Sequence, residues 1–244
     1  MDDATVFGGY VENVTNVGKS GRTTILKQYN QNNMKTLIAF HNDPEIKTKY
    51  INKVRAHREA DELIKGEIIG KMDDEFRGCG VVCTVGEYRH SAYPEKLGIP
   101  EVLARVEDYL FEQLPDELSQ MWPERFLEAI KPGADLSHVH GKFLSWTLLD
   151  DQIGFWKVWK NKEDQNAFIQ FGEFIAYIAT DEAFNKQKWN AVRKPFLASL
   201  DRLPRLASLA RLARLASLDR LARLTSPDIY EVASEKILEL LRES

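Results

Sequence analysis

Between residues 44 and 195 apolar side chains recur every three to four positions, the period of helices with one buried face. Asp43-Pro44 offers a capping side chain followed by proline at a first helical position. The pattern predicts a helix from there to about Lys65, stopping before Gly66. Pro100 opens a second helix, with Val102, Leu103, Val106, Tyr109, Leu110 and Leu114 on one face, and Pro115-Asp116 ends it. Trp122-Pro123 starts a third, carrying Phe126, Leu127 and Ile130, which breaks at Pro132-Gly133. Ser137 caps a fourth, bearing Val139, Phe143, Trp146 and Leu149. Residues 163–179 place Phe168, Phe171, Ile175 and Ile178 at helical spacing, and Thr180-Asp181 starts a last core helix through Phe184 and Val192 to Pro195. A final amphipathic helix spans Asp228 to Ser244.

Two segments break this rhythm. Residues 1–33 contain alternating stretches around Thr5-Val6-Phe7 and Thr23-Thr24-Ile25-Leu26, joined through a Gly-Lys-Ser-Gly turn. They read as a flexible or hairpin-like arm. Met34 is a second candidate start, so whether the arm belongs to the native protein stays open. Residues 197–226 form a low-complexity tract with leucine at every third position from Leu197 to Leu224. Three residues turn an α-helix about 300°, so successive leucines fall about 60° apart and encircle the helix. Such a helix must be buried or must associate. The tract holds six Arg and two Asp, and Pro204 is expected to bend or break it. A homo-oligomer or protein contact through the tract is one reading, and a helical spacer is the other.

The expected organisation is an all-α, irregular helical domain at 34–196, an N-terminal hairpin-like arm at 1–33, the helical low-complexity tract at 197–226, and a C-terminal helix at 227–244. Composition agrees. The 244 residues are 43% hydrophobic and 29% charged, with 14 Gly, 9 Pro and two Cys, which excludes a disordered, collagen-like or disulfide-framed chain. No apolar run approaches the roughly 20 residues of a membrane span, and neither Met1 nor Met34 precedes a signal-peptide hydrophobic region. A cytoplasmic protein with reduced thiols is expected. The net charge of −4 gives no global field for nucleic acid, so neither a nucleic-acid nor a membrane partner is expected.

The first helix holds the most informative polar residues. On a wheel turning about 100° per residue from Ile46, His57 falls at about 20° and Asp61 at about 60°, inside the face that carries Tyr50 and Val54. At i and i+4 they can pair, and a carboxylate that orients an imidazole serves a general base, a metal ligand or a structural tie equally. Cys79 and Cys83, followed by His90, permit three readings. They can be buried small side chains. One can be a thiol nucleophile lowered by a helix start and a His partner. Together with His57 and His90 they can be zinc ligands, so zinc is the one cofactor left open. Gly18-Lys19-Ser20 lacks the upstream glycine of a phosphate loop. Trp156 and Trp159, interleaved with Lys157 and Lys160, read as core aromatics with solubilising charges, or as a base-stacking surface.

Several segments resemble an uncharacterised group of bacterial and phage helical proteins. They are Ile38 to Lys47, Arg55 to Asp61, Gly78-Cys79 with Cys83-Thr84, His90-Ser91-Ala92-Tyr93, Leu97 to Pro100, and the closing Lys236 to Arg242. The likeness spans residues 34–195 and 228–243. Those proteins often carry a repetitive Ala-rich segment before the last helix, which the leucine tract replaces here. The resemblance implies a protein class without a known activity. Two functional classes are therefore expected: a protein that binds or processes a small ligand through His57, Asp61, Cys79, Cys83 and His90, or a non-catalytic helical interaction or accessory protein of a phage or mobile element.

Overall fold

The computed structural model describes residues 37–66, 70–72, 75–180, 185–201 and 229–244. The arm at 1–33 and most of the leucine tract lie outside them. The chain is predominantly helical. A short 3₁₀ turn, Ala39–Asn42, leads into α1 (Pro44–Glu59). A two-stranded antiparallel ladder follows, β1 (Gly70–Met72) against β2 (Glu75–Arg77), with Lys71 opposite Phe76. Then come α2 (Gly80–Val85), α3 (Ala92–Leu97), α4 (Glu101–Gln113), α5 (Asp116–Ala129) and α6 (Val139–Leu149). A second 3₁₀ turn, Phe155–Val158, precedes α7 (Lys162–Ile178) and α8 (Lys186–Asp201), and α9 (Ile229–Arg242) closes the chain. No helix among the described residues is long and apolar enough to cross a membrane.

The ladder and the early end of α1 depart from the sequence-based expectation. Asp43 Oδ1 caps α1 by accepting the Glu45 N–H at 2.8 Å, as its position suggests. The helix stops at Glu59, not near Lys65. Asp61 adopts a left-handed φ of 55°, the Asp61 N–H donates to Arg58 O at 3.1 Å, and the Glu62 N–H donates to His57 O at 2.9 Å. These bonds make a Schellman ending with Asp where glycine is usual. The chain then pairs with Gly78: the Gly78 N–H donates to Glu62 O at 2.9 Å and the Ile64 N–H to Gly78 O at 3.0 Å, while Leu63 is buried. Burial of Leu63 and two cross-chain bonds replace two further helical turns.

Proline positions account for the other differences. Pro115 precedes α5, which starts at Asp116 and runs through Pro123, so Trp122-Pro123 is interior rather than a start. Helix α8 is capped by Asn185, whose Oδ1 accepts the Gln187 and Lys188 N–H groups at 3.0 Å each, and it continues through Pro195 to Asp201. Pro195 and Ala191, whose carbonyl loses its helical donor there, both face solvent, where water can bond that carbonyl. The first residues of the leucine tract, 197–201, thus extend α8.

Helix α2 packs against α1, α3, α4 and α5, and all six of its residues are buried. Buried carbonyls at its end need partners. Lys53 Nζ donates to Thr84 O at 3.0 Å and Lys96 Nζ to Val85 O at 2.9 Å. Lys47 Nζ similarly meets Glu128 O and Ile130 O at the end of α5, at 2.8 and 2.7 Å. Ammonium groups suit these negative helix ends. Helices α1 and α5 are tied by Glu124, which accepts from Arg55 Nε at 2.7 Å and Arg58 Nη2 at 3.2 Å.

Two apolar clusters form. The larger gathers Val81, Leu103, Leu110, Phe111, Trp122 and Phe126, with Ile237, Leu238 and Leu241 of α9. The smaller gathers Leu148, Phe155, Trp159, Phe168, Phe171 and Phe196, with Ile229 of α9. Trp159 lies in this second core, and the half-buried Trp156 packs against it, so these aromatics are structural. Tyr109 and Tyr230 pack on both clusters, with their hydroxyls 3.4 Å apart.

Candidate functional site

The five residues singled out from sequence do not meet at one point. His57, at the end of α1, has Nδ1 2.5 Å from Glu62 Oε2. Its partner is therefore Glu62 and not Asp61. Asp61 is exposed, because the left-handed turn swings its side chain off the apolar face that an uninterrupted helix would give it. The expectation of a buried His57–Asp61 pair is overturned. Cys83, on α2, lies on the same side as His57: its thiol donates to Gly78 O at 3.5 Å and approaches Glu62 O at 3.9 Å. Cys79, at the start of α2, is acted on by Asp108, the carboxylate that meets His90, so Cys79 and His90 belong to a second group.

That second group is built by α2, α3, α4 and the loop between α2 and α3. His90 Nε2 is 2.8 Å from Asp108 Oδ2, and the Tyr88 hydroxyl donates to the same oxygen at 3.2 Å. An ionised carboxylate only accepts, so the bond places the imidazole proton on Nε2 and leaves Nδ1 as the basic nitrogen. Tyr93, fully buried on α3, donates its hydroxyl to Glu107 Oε2 at 3.3 Å. Glu107 is itself 1% exposed, and its backbone carbonyl accepts the Trp122 indole N–H at 2.9 Å. Gly80 gives the carboxyl its space, because a Cβ there would stand 2.6 Å from Glu107 Oε1. Glu107 Oε1 and Asp108 Oδ1 are both buried without a hydrogen-bond partner.

Burial and the Asp108 carboxylate push the Glu107 carboxyl well above the usual range. Burial and the Glu107 carboxyl do the same to the Tyr93 phenol, and burial with Asp108 lifts Tyr88 to about 12. Both cysteines are buried free thiols. Burial and Asp108 push Cys79 above the ordinary thiol range, and burial with Glu62 lifts Cys83 to about 12. Cys79 caps the start of α2, yet its surroundings are acidic, and the thiolate needed for nucleophilic attack is disfavoured at neutral pH. Among the described residues no three His, Cys, Asp or Glu side chains gather as a metal-binding group, so the zinc reading finds no donor set there.

Glu62, Tyr88, Tyr93, Glu107 and Asp108 were not among the sequence candidates. Glu107 left a signal. Counted from Leu103 it falls at about 40° on the wheel, between Leu114 at about 20° and Phe111 at about 80°, a carboxyl inside an apolar face. Asp108 falls at about 140°, off that face, and Tyr88 and His90 lie in a loop, so no periodicity marks them. Comparison of the chain with models of protein families, with curated proteins and with solved structures finds no match.

Proposed function

We propose that the protein binds a small polar ligand at the cluster formed by Tyr88, His90, Tyr93, Glu107 and Asp108, with His90 available to take or return a proton. The observation that carries this reading is the pair of buried, unpartnered carboxyl oxygens, Glu107 Oε1 and Asp108 Oδ1. Leaving such groups unpaired costs about 1–3 kcal/mol each, and buried polar atoms left without partners often mark where a water or ligand belongs. Asp108 orients the imidazole as a carboxylate orients a general base. Tyr88 covers the cluster on the solvent side and is 42% exposed.

An NMR screen that follows both fragment signals and the histidine ring resonances, with cationic, neutral and anionic fragments, tests the reading, using Asp108→Asn as the control. At least one fragment should bind the native protein, shift the His90 ring resonances and lose binding in Asp108→Asn. If no fragment of any charge shows that dependence, the cluster is a structural polar network and the reading falls. The alternative, a non-catalytic interaction or accessory protein, draws its support from the leucine tract, where residues 202–228 lie outside the described structure.

A further inference from the structure

We infer that the ligand of this cluster is an organic monocation, presenting a primary ammonium or guanidinium group to Glu107 Oε1 and Asp108 Oδ1. This step rests on the reading of the cluster as a ligand site. It follows from a contrast within the chain. The other strongly buried glutamate on a helix, Glu124, has a side chain 6% exposed and is gripped by two guanidiniums, Arg55 and Arg58. Glu87 pairs with Arg89 and Lys96, and Asp116 with Lys65. Among the described residues neither Glu107 nor Asp108 has a Lys or Arg partner. The groups among the described residues that act on them are acids, phenols, thiols and one imidazole: Glu112 on the same helix, Tyr93 on α3, Cys79 and Cys83 at and on α2, and Tyr88 and His90 in the loop.

Asp108 Oδ1 is an acceptor, and Glu107 Oε1 becomes one when its proton leaves, so the fitting partner is a cationic N–H donor that can take up both oxygens, and the acidic surroundings favour its positive charge. A carboxylate or phosphate ligand would be repelled. A hard divalent ion calls for six or more oxygens, whereas the described cluster offers two free carboxyl oxygens. A primary ammonium has three donors to divide between them. The Tyr88 and His90 rings meet edge to face with centroids 5.2 Å apart, and the Tyr88 ring is exposed beside Asp108, an aromatic surface that further favours a cation. Entry requires the Tyr88 side chain to turn aside and give up its bond to Asp108 Oδ2.

Burial and the neighbouring Asp108 favour the protonated form of Glu107. The arriving cation makes the ionised carboxylate the favourable form, so one proton leaves to solvent as the cation enters. Binding should therefore strengthen with pH, by about tenfold per unit while one proton is exchanged.

The test is titration calorimetry on the full chain with n-butylammonium chloride, and with butan-1-ol and sodium butyrate as neutral and anionic counterparts. It is run at pH 6, 7 and 8 in two buffers of different ionisation enthalpy. Saturable binding of butylammonium, absent for the other two, should tighten with pH and release about one proton. Glu107→Gln and Asp108→Asn should each weaken it at least tenfold, with circular dichroism confirming the fold. If Asp108→Asn does not fold, Tyr88→Phe serves instead: it removes a donor that competes for Asp108 and should leave binding equal or tighter. Asp108-dependent binding of butan-1-ol or butyrate would keep the site and overturn its preference for cations. Competition by millimolar potassium chloride equal to that of butylammonium would assign the site to an inorganic ion and also overturn it. Absence of Asp108-dependent binding by all three probes would remove both readings.

Discussion

Asp61 shows how much one backbone angle decides. A left-handed conformation costs a non-glycine residue about 1–2 kcal/mol, and Asp tolerates it better than most. Asp61→Gly should therefore stabilise the protein by about 0.5–1 kcal/mol, and Asp61→Val should destabilise it by at least about 1 kcal/mol. Chemical denaturation measures both. Had Asp61 been the buried partner of His57, Asp61→Gly would instead cost about 3 kcal/mol, and that outcome would contradict the geometry. Glu107 makes a second residue-scale case. Its folded carboxyl titrates well above the ordinary 4.5, so between that value and the folded one the native state holds a proton that the unfolded chain has lost. Unfolding releases the proton, and stability falls as pH rises through this window. Glu107→Gln carries no such proton. Its stability advantage over the native chain should grow from about pH 5 towards pH 8, and a constant difference across that range would refute the assignment. The two thiols, protonated and buried, should react slowly with a disulfide reagent at pH 7 and become fully reactive on unfolding.

At the scale of elements, α2 illustrates a short helix that could not stand alone. Six residues are far below the length that holds in water, and the helix exists because four others enclose it. Its terminal carbonyls are served by Lys53 and Lys96, side chains from two different helices. Burial lowers the Lys53 ammonium, with Lys96 and Lys49 adding to the effect, so that cap is bought at some electrostatic cost. Replacing Lys53 by Met keeps the aliphatic stem and removes the donor. A loss of about 1–2 kcal/mol is expected, the usual consequence of leaving a partly buried carbonyl unpaired. A loss below about 0.3 kcal/mol in denaturant titration would show that the cap contributes nothing.

For the whole molecule, α9 is the element that joins the two apolar clusters. Ile229 enters one, and Ile237, Leu238 and Leu241 enter the other, while Arg125 holds Glu235 at 2.7 Å on the rim. Leu241 is fully buried, and Leu241→Ala should cost about 2–5 kcal/mol through lost burial and the cavity left behind. Because α9 touches α4, α5 and α6, both clusters should loosen together, and urea unfolding should remain one transition followed by Trp fluorescence and circular dichroism. Two separate transitions would mean that the clusters unfold independently.

Much of this architecture was legible from periodicity. The faces of α1, α4, α7 and α9 follow from apolar spacing, because a helix must hide its apolar stripe whatever it packs against. The Asp43 cap and the break at Pro132-Gly133 follow from local chemistry that acts over a few residues. Glu107 was legible in principle as a carboxyl at the centre of an apolar face. Other features were decided by tertiary contacts. Leu63 and Gly78, distant in sequence, end α1 by pairing their strands, and that ending assigns His57 to Glu62. Pro123 reads as part of a helix start and Pro195 as a helix end, because proline forbids one helical bond, yet the surrounding structure carries both helices through them. The candidate site itself joins a loop histidine to a helix aspartate eighteen positions later. Local pattern determines which faces are apolar, but it cannot report which polar groups meet when those faces close, because that meeting is a property of packed helices.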